Sequence, residues 1–211
     1  MKREEKNALS RQRILDAAMR EFSARGYEGA SLNTVCTEYG ISKGIIYHYF
    51  KDKDELYLLC TEKCFNEITA YLEETAKQLS GTVEQKLQTY FDARLCFFAN
   101  NPLYLGIFAD AALNPPDALS AEIAQCRKKF DELNISVLTG LVNSKPLREG
   151  LAVEAIVEDF RIYMDFFNLR FKTSFDGKNT LETALHEHEK RCHRQLGMLL
   201  YGVFDDKNVK G

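Results

Sequence analysis

The sequence lacks most of what marks an enzyme, a membrane protein or a secreted one. It has no glycine-rich phosphate loop, no Gly-x-Ser-x-Gly elbow and no His-Glu-x-x-His. Its paired carboxylates fall on helix faces that read as solvated, so no enzyme is expected. An all-helical hydrolase or lyase built on unrecognised residues stands as the alternative from another class. No run of about 18 apolar residues occurs, so no membrane span is expected, and the polar N-terminus has no apolar signal core. Sustained apolar–polar alternation, internal repeats and low-complexity tracts are also missing. So is bulk basicity: at a net charge of −3, any contact with nucleic acid must come from a local patch. Cysteines 36, 60, 64, 96, 126 and 192 are scattered through apolar helical patterns. That suits reduced thiols in a cytoplasmic protein rather than a disulfide framework. No cofactor and no bound metal are expected.

What the sequence does have is helical period. With 45% hydrophobic residues, its 211 residues suffice for a small domain plus a larger one. Residues 1–9 read as a polar arm. A helix from Ser10 places Ile14, Leu15, Ala18, Met19 and Phe22 on one face, and Gly26 is positioned to end it. Tyr27 to Ala30 is a short connection. Asp52 with Glu55 makes a capping-box start for a long helix from about Lys53 to Leu79, roughly 40 Å at about 1.5 Å per residue. Thr82 with Gln85 opens a helix to about Phe98, and Asn101-Pro102 opens a short one. After the break at Asn114-Pro115-Pro116-Asp117, a helix runs to about Val142. A loop spans Ser144 to Gly150, and the most apolar helix covers Ala152 to about Ser174. Asp176-Gly177 turns into a last helix carrying Leu181, Leu185, Cys192, Leu196, Leu199 and Leu200, with a polar tail from Asp205. The fold expected is all-α, with about nine helices.

Between Ser31 and Leu56, two short helical patterns meet at Gly40, and each opens on a hydroxyl residue fit to be an N-cap, Ser31 and Ser42. Leu32, Val35, Cys36 and Tyr39 recur at helical spacing in the first, and Ile45, Ile46 and Tyr49 in the second. Two short helices joined by a glycine turn are the helix-turn-helix of DNA readers, whose second helix enters the major groove. A groove reader needs small or polar groups at the start of that helix and phosphate donors around it. Ser42, Lys43 and Gly44 stand at that start, followed by Tyr47, His48 and Tyr49, with Lys53 at the next helix start. Ser31, Asn33 and Thr34 begin the first helix. Packing of Tyr47, Tyr49 and Phe50 into a plain three-helix core is the simpler alternative for a bare motif.

Gly26-x-x-Gly29-x-Ser31, Val35, and Gly40-Ile41-Ser42-x-Gly44-x-Ile46-Tyr47-x-Tyr49-Phe50-x-Asp52-Lys53-x-x-Leu56 together resemble the signature of the TetR/AcrR family of bacterial transcriptional regulators. The resemblance covers roughly residues 10–70. It implies a helix-turn-helix head over residues 10–55 and a larger ligand-binding and dimerisation domain over 56–204, followed by the tail 205–211. The function it implies is a regulator, by family default a repressor. Such a protein binds a palindromic operator in double-stranded DNA as a homodimer and is released by a small-molecule inducer. By this pattern Ser31, Asn33, Thr34, Ser42, Lys43, Gly44, Tyr47, His48, Tyr49 and Lys53 occupy DNA-contact positions. Cys36 and Tyr39 depart from the alanines usual there, and both are expected to face inward.

Twofold operators need an interface that sets two reading helices about one DNA turn apart. In the family the last two helices supply it. Here Phe166, Leu181, Leu185, His188, Cys192, Leu196 and Leu199 are the candidates, against plain burial in one core. An inducer with an apolar or aromatic part is expected among Tyr90, Arg94, Phe97, Tyr104, Phe108, Phe130, Tyr163 and Phe167, although core packing accounts for any one aromatic. By analogy with the family, ligand shifts the population to a state in which the long fourth helix moves the heads off operator spacing. His188 with Cys192, and Cys60 with Cys64, have the i, i+4 spacing of chelating pairs, so a metal- or thiol-sensing regulator of the same fold is the closer alternative.

Overall fold

The computed structural model describes residues 3–174 and 180–205. Among them are nine α-helices: α1 (Arg3–Gly29), α2 (Leu32–Tyr39), α3 (Lys43–Tyr49), α4 (Lys53–Lys77), α5 (Val83–Asn100), α6 (Pro102–Phe108), α7 (Ser120–Val142), α8 (Val153–Ser174) and α9 (Leu181–Val203). A π-helical turn, Ala109–Leu113, and a 3-10 turn, Asp117–Leu119, lie between α6 and α7. Extended pairing among these residues is limited to an isolated antiparallel bridge, Leu147 with Phe204. The expected turn at Asp176-Gly177 and the tail beyond Asp205 fall outside the described residues.

Helix α1 begins well before Ser10. Residues 3–9 contain no proline or glycine, and Glu4 and Glu5 sit in the first turn, where negative charge complements the helix dipole. Gly26 does not end α1 but kinks it, at φ 64° and ψ −179°, and the helix resumes to Gly29. Only glycine takes that backbone conformation without a steric cost. The box opening α5 is reciprocal: Thr82 N donates to Gln85 Oε1 at 2.9 Å, and Gln85 N donates to Thr82 Oγ1 at 3.2 Å. At α4 only half of the expected box forms. Glu55 N donates to Asp52 Oδ1, whereas the Glu55 carboxylate accepts from Lys51 N instead.

The chain divides into two compact units. The first comprises Met1–Glu67 and Asn100–Lys128, and the second Ile68–Ala99 and Lys129–Gly211. The first therefore includes α6 and the turns after it, a stretch that the sequence pattern places with the larger domain. The local cause is Gly106, where a Cβ would drive into the backbone carbonyl of Ser23, so α6 and α1 touch backbone to backbone. Ile14, Ala18, Phe22, Val35, Ile46, Phe50, Leu56 and Tyr57 are buried in the first unit. In the second, Val83, Leu87 and Phe91 of α5 pack with Leu138, Leu141 and Val142 of α7, Ile156 and Phe160 of α8, and Cys192, Leu196 and Leu200 of α9.

Candidate DNA interface

Helices α2 and α3 are short, and their ends are held by local chemistry. Ser31 Oγ accepts from Asn33 N at 3.2 Å, and Ser42 Oγ accepts from Ile45 N at 3.3 Å. Gly40 closes α2 in the left-handed region at φ 60°, donating its N–H to the Cys36 carbonyl, and Ile41 then turns into the core. Ser31 is tied from below as well, its N–H donating to the buried carboxylate of Glu21 at 3.0 Å. Arg25 completes this bracket, 3.3 Å from Glu21 and 3.5 Å from Glu38.

Only Ile46 of α3 is buried. Ile45, expected beside it in the core, is 46% exposed instead. At 100° per residue it lies nearer the outward face, which Gly44 and His48 occupy, than the core face. None of the ten expected contact residues is buried. Asn33, Ser42, Lys43, Gly44, Tyr47 and His48 are exposed, while Ser31, Thr34, Tyr49 and Lys53 are half-buried. Open space surrounds the position that a Gly44 side chain would fill. Lys43 Nζ stands 6.0 Å from the Tyr47 ring centre, and the His48 and Tyr49 rings meet edge to face at 4.9 Å. The Tyr49 hydroxyl donates to Asn7 Oδ1 at 3.1 Å, tying the end of α3 to the early turns of α1. Lys53 at the start of α4 places its ammonium 4.3 Å over the Tyr27 ring.

Cys36 and Tyr39 are half-exposed rather than inward. The Tyr39 side chain lies in an open groove along α1 with Leu9, Gln12, Arg13 and Arg20, and its carbonyl accepts from Arg13 at 3.0 Å. Its bulk is therefore taken up at the surface, with no repacking of the core. Asn7, Tyr27 and Ile45 were not expected at this face. The first two act through contacts distant in sequence, and Ile45 followed the apolar period.

In the second unit, Tyr90, Arg94, Phe97 and Phe130 are buried. Arg94 Nη2 donates to Glu189 Oε1 at 2.9 Å, and its guanidinium lies 5.6 Å from the Phe91 ring and 5.4 Å from the Phe130 ring. Arg94 Nε and Glu189 Oε2 have no hydrogen-bond partner. Burial pushes the Glu189 carboxyl up, and Arg94 opposes that shift. The Tyr90 hydroxyl donates to Asn134 Oδ1 at 3.0 Å. Tyr163 and Phe167 stack at 5.0 Å on α8 and line an open groove of about 370 Å³ against α9. Tyr104 and Phe108 belong to the first unit, where Phe108 packs on Phe65 and the Tyr104 carbonyl faces Cys64 Sγ.

Of the residues expected to pair two chains, Leu185, His188, Cys192 and Leu196 are buried in the second unit, and Leu181 and Leu199 are half-buried. The leucine stripe of α9 faces its own core, because α5, α7 and α8 already cover it. The outward apolar face is carried by Phe166, which was expected there, with Ile162, Tyr163 and Leu169 on α8 and Met198 and Tyr201 on α9. His188 is buried against Phe167 and Phe171, 3.6 Å from Cys192 Sγ. Burial first, then Arg94 and Arg191, hold its pKa down to about 4. Burial pushes the Cys192 thiol up to about 12, and raises Cys60 and Cys64 as well. Thiols held protonated are poor ligands and poor nucleophiles. Among the described residues, no three of His, Cys, Asp and Glu converge as a metal site.

Residues 14–60 match the family described as bacterial regulatory proteins, tetR family. Along most of its length the chain is similar to the biofilm operon icaADBC negative transcriptional regulator IcaR of Staphylococcus epidermidis. The two are 22% identical over 184 residues, covering 82% of this chain and 94% of that one. The transcriptional repressor AcnR of Corynebacterium efficiens is 39% identical over 80 residues, which span 38% of this chain and 40% of that protein. In structure the chain is similar to the transcriptional regulator FadR of Bacillus subtilis, solved with stearoyl-CoA. The TM-score is 0.62 at 19% identity, over 86% of this chain and 96% of that one.

Proposed function

We propose that the chain, whose residues 14–60 match the tetR family of bacterial regulatory proteins, represses transcription as a homodimer and releases its operator on binding a small molecule. The observation that carries the DNA-reading part is the outward face of α3. Gly44 is open, Lys43 and Tyr47 are exposed on one side, and the only apolar anchor of the helix is Ile46 beneath. A short helix with one buried residue has most of its surface left for a partner. Its small and polar start matches what a major-groove reader requires. Ser31, Asn33, Thr34, Ser42, Tyr49 and Lys53 surround it as phosphate donors, and helix N-termini add backbone N–H groups.

The homodimer reading is supported by the uncovered apolar face of α8 and α9, where Ile162, Phe166 and Leu169 are each more than half exposed. Such a face is costly in water unless a second copy covers it. The inducer reading is supported by the buried, half-paired Arg94 and Glu189 among the rings of Phe91 and Phe130. FadR, a structural neighbour, was solved with stearoyl-CoA, and an inducer with an apolar part fits this ring-lined region. α4 contributes residues to both units and is the proposed carrier of the response. The proposed role is that of a cytoplasmic regulator rather than an enzyme, as the relatives named as transcriptional regulators support.

In-vitro selection from a random duplex library, followed by gel shift, tests the reading. A palindromic site should emerge. The pair Lys43→Ala with Tyr47→Phe should weaken it at least tenfold, since a good side-chain contact to a base contributes about 1–3 kcal/mol. Binding that ignores sequence and survives both substitutions overturns it.

A further inference from the structure

The kink in α1 is built around a carboxylate that the sequence places 83 residues away. Asp110 Oδ2 accepts from the backbone N–H of Tyr27 at 2.8 Å and from the hydroxyl of Tyr57 at 2.8 Å. In an unbroken helix the Tyr27 N–H would bond back to Ser23. The positive φ of Gly26 releases it from that ladder and aims it at Asp110. The fit is close: a Cβ on Gly26 would stand 2.7 Å from Asp110 Oδ1. Asp110 itself sits in the π-helical turn Ala109–Leu113, a widened turn of the kind often found at functional positions.

Tyr27 continues the connection toward the DNA face. Its hydroxyl donates to Asp54 Oδ1 at 2.6 Å, a bond that raises its pKa to about 12, and its ring packs edge-on against Tyr57 at 5.0 Å. The face of the same ring lies 4.3 Å under the Lys53 ammonium, inside the range of cation–π attraction. Asp54 and Lys53 are neighbours in the first turn of α4, so one side chain grips that turn at two points. A π-face occupies one side of an ammonium, which has three N–H donors, and leaves others for a phosphate oxygen.

We propose that Asp110 and Tyr27 are positioning residues for operator binding, holding Lys53 where a backbone phosphate meets it. This rests on the reading of Lys53 as a DNA contact. The long lysine side chain loses rotamer freedom when it docks, and a seat that restricts it beforehand removes part of that loss. Neither Asp110 nor Tyr27 touches DNA in this arrangement. Their effect passes through Lys53 alone, which separates positioning from general support of the head.

A double-mutant cycle on affinity for the selected operator duplex reads this directly. Lys53→Ala should weaken binding about tenfold and reduce the steepness of the salt dependence by about one phosphate contact per head. Tyr27→Leu should weaken binding about fivefold in the native background and change it less than twofold on Lys53→Ala. Tyr27→Phe, which keeps the ring but loses the Asp54 bond, should fall between native and Tyr27→Leu. Asp110→Asn keeps a carbonyl oxygen for both donors and should bind within about twofold of native, whereas Asp110→Ala should follow Tyr27→Leu. If Lys53→Ala leaves affinity and salt slope unchanged, the contact reading of Lys53 fails and the proposal with it. If Lys53→Ala weakens binding but the effects of Tyr27→Leu add to it in full, Lys53 remains a contact and the positioning role is overturned. Should Asp110→Ala not fold, the Tyr27 cycle decides alone.

Discussion

Asp110 in the first compact unit and Glu189 in the second are carboxylates held by different chemistry. Asp110 in the first unit gathers dipoles: a backbone N–H and a tyrosine hydroxyl converge on one oxygen. Burial pushes its pKa up, and those two bonds oppose the shift. Glu189 in the second unit is fully buried and gathers a charge, Arg94, through one bond, with one oxygen and the Arg94 Nε left without partners. A carboxylate satisfied by dipoles fixes geometry, since each donor must point at it. One satisfied by a single ion carries a desolvation cost that its partner offsets, and here two polar atoms of the pair stay without a hydrogen bond. The first arrangement fixes the geometry around the α1 kink, and the second leaves its stability dependent on one ion pair.

The largest expected effect breaks the ion pair. Arg94→Met alone should cost about 3–5 kcal/mol in denaturant melts, because a buried carboxylate is left unpaired, whereas Arg94→Met with Glu189→Met should recover most of that. If the double variant is as unstable as the single one, the two carboxylates do not differ in the way described. Next comes His188, held neutral beside Arg94, with a folded pKa of about 4 against an ordinary 6.5. The unfolded chain binds the extra proton between those values. His188 therefore contributes its stability in full above about pH 6.5, and loses it as pH falls toward 4. Up to about 3 kcal/mol is involved, at about 1.4 kcal/mol per pH unit. His188→Gln should flatten the stability–pH curve over that window. Native-like steepness in the variant would show that the histidine is not its source.

Smaller effects sharpen the dipole side of the comparison. Asp110→Ala strands the Tyr57 hydroxyl and the Tyr27 N–H and should cost about 1–3 kcal/mol, with Asp110→Asn milder. Equal losses for the two would mean that charge, not geometry, matters there. Smallest should be the caps. Ser31→Ala and Ser42→Ala each remove one acceptor from an N–H near solvent and should cost about 1 kcal/mol. A cost as large as that of Asp110→Ala would place the caps inside the same network.

Much of the head was legible in the sequence because what builds it is local. A hydroxyl at Ser31 or Ser42, and a glycine at position 40, act within four residues of themselves, and the bonds they make are the ones their spacing implies. The helical period of α4 to α9 was legible for the same reason. Periodicity shows that a helix has an apolar face without showing what covers it. That is why the stripe of Leu185, His188, Cys192 and Leu196 read as a surface and proved to be core. Ile45 read as core and proved exposed, because at about 100° from Ile46 it lies nearer the outward face of α3 than the buried one. Gly26 was read as a stop, since a glycine after an apolar helix usually is one. Only the tertiary structure supplies Asp110, whose carboxylate makes the same glycine a kink inside a continuing helix. Sequence alone thus determined the helical elements, the caps at Ser31, Ser42 and Gly40, and the resemblance that the match over residues 14–60 bears out. Which faces meet, which carboxylate is held by dipoles and which by a charge, and what stands behind Lys53 were decided by contacts between residues tens of positions apart, which no local pattern encodes.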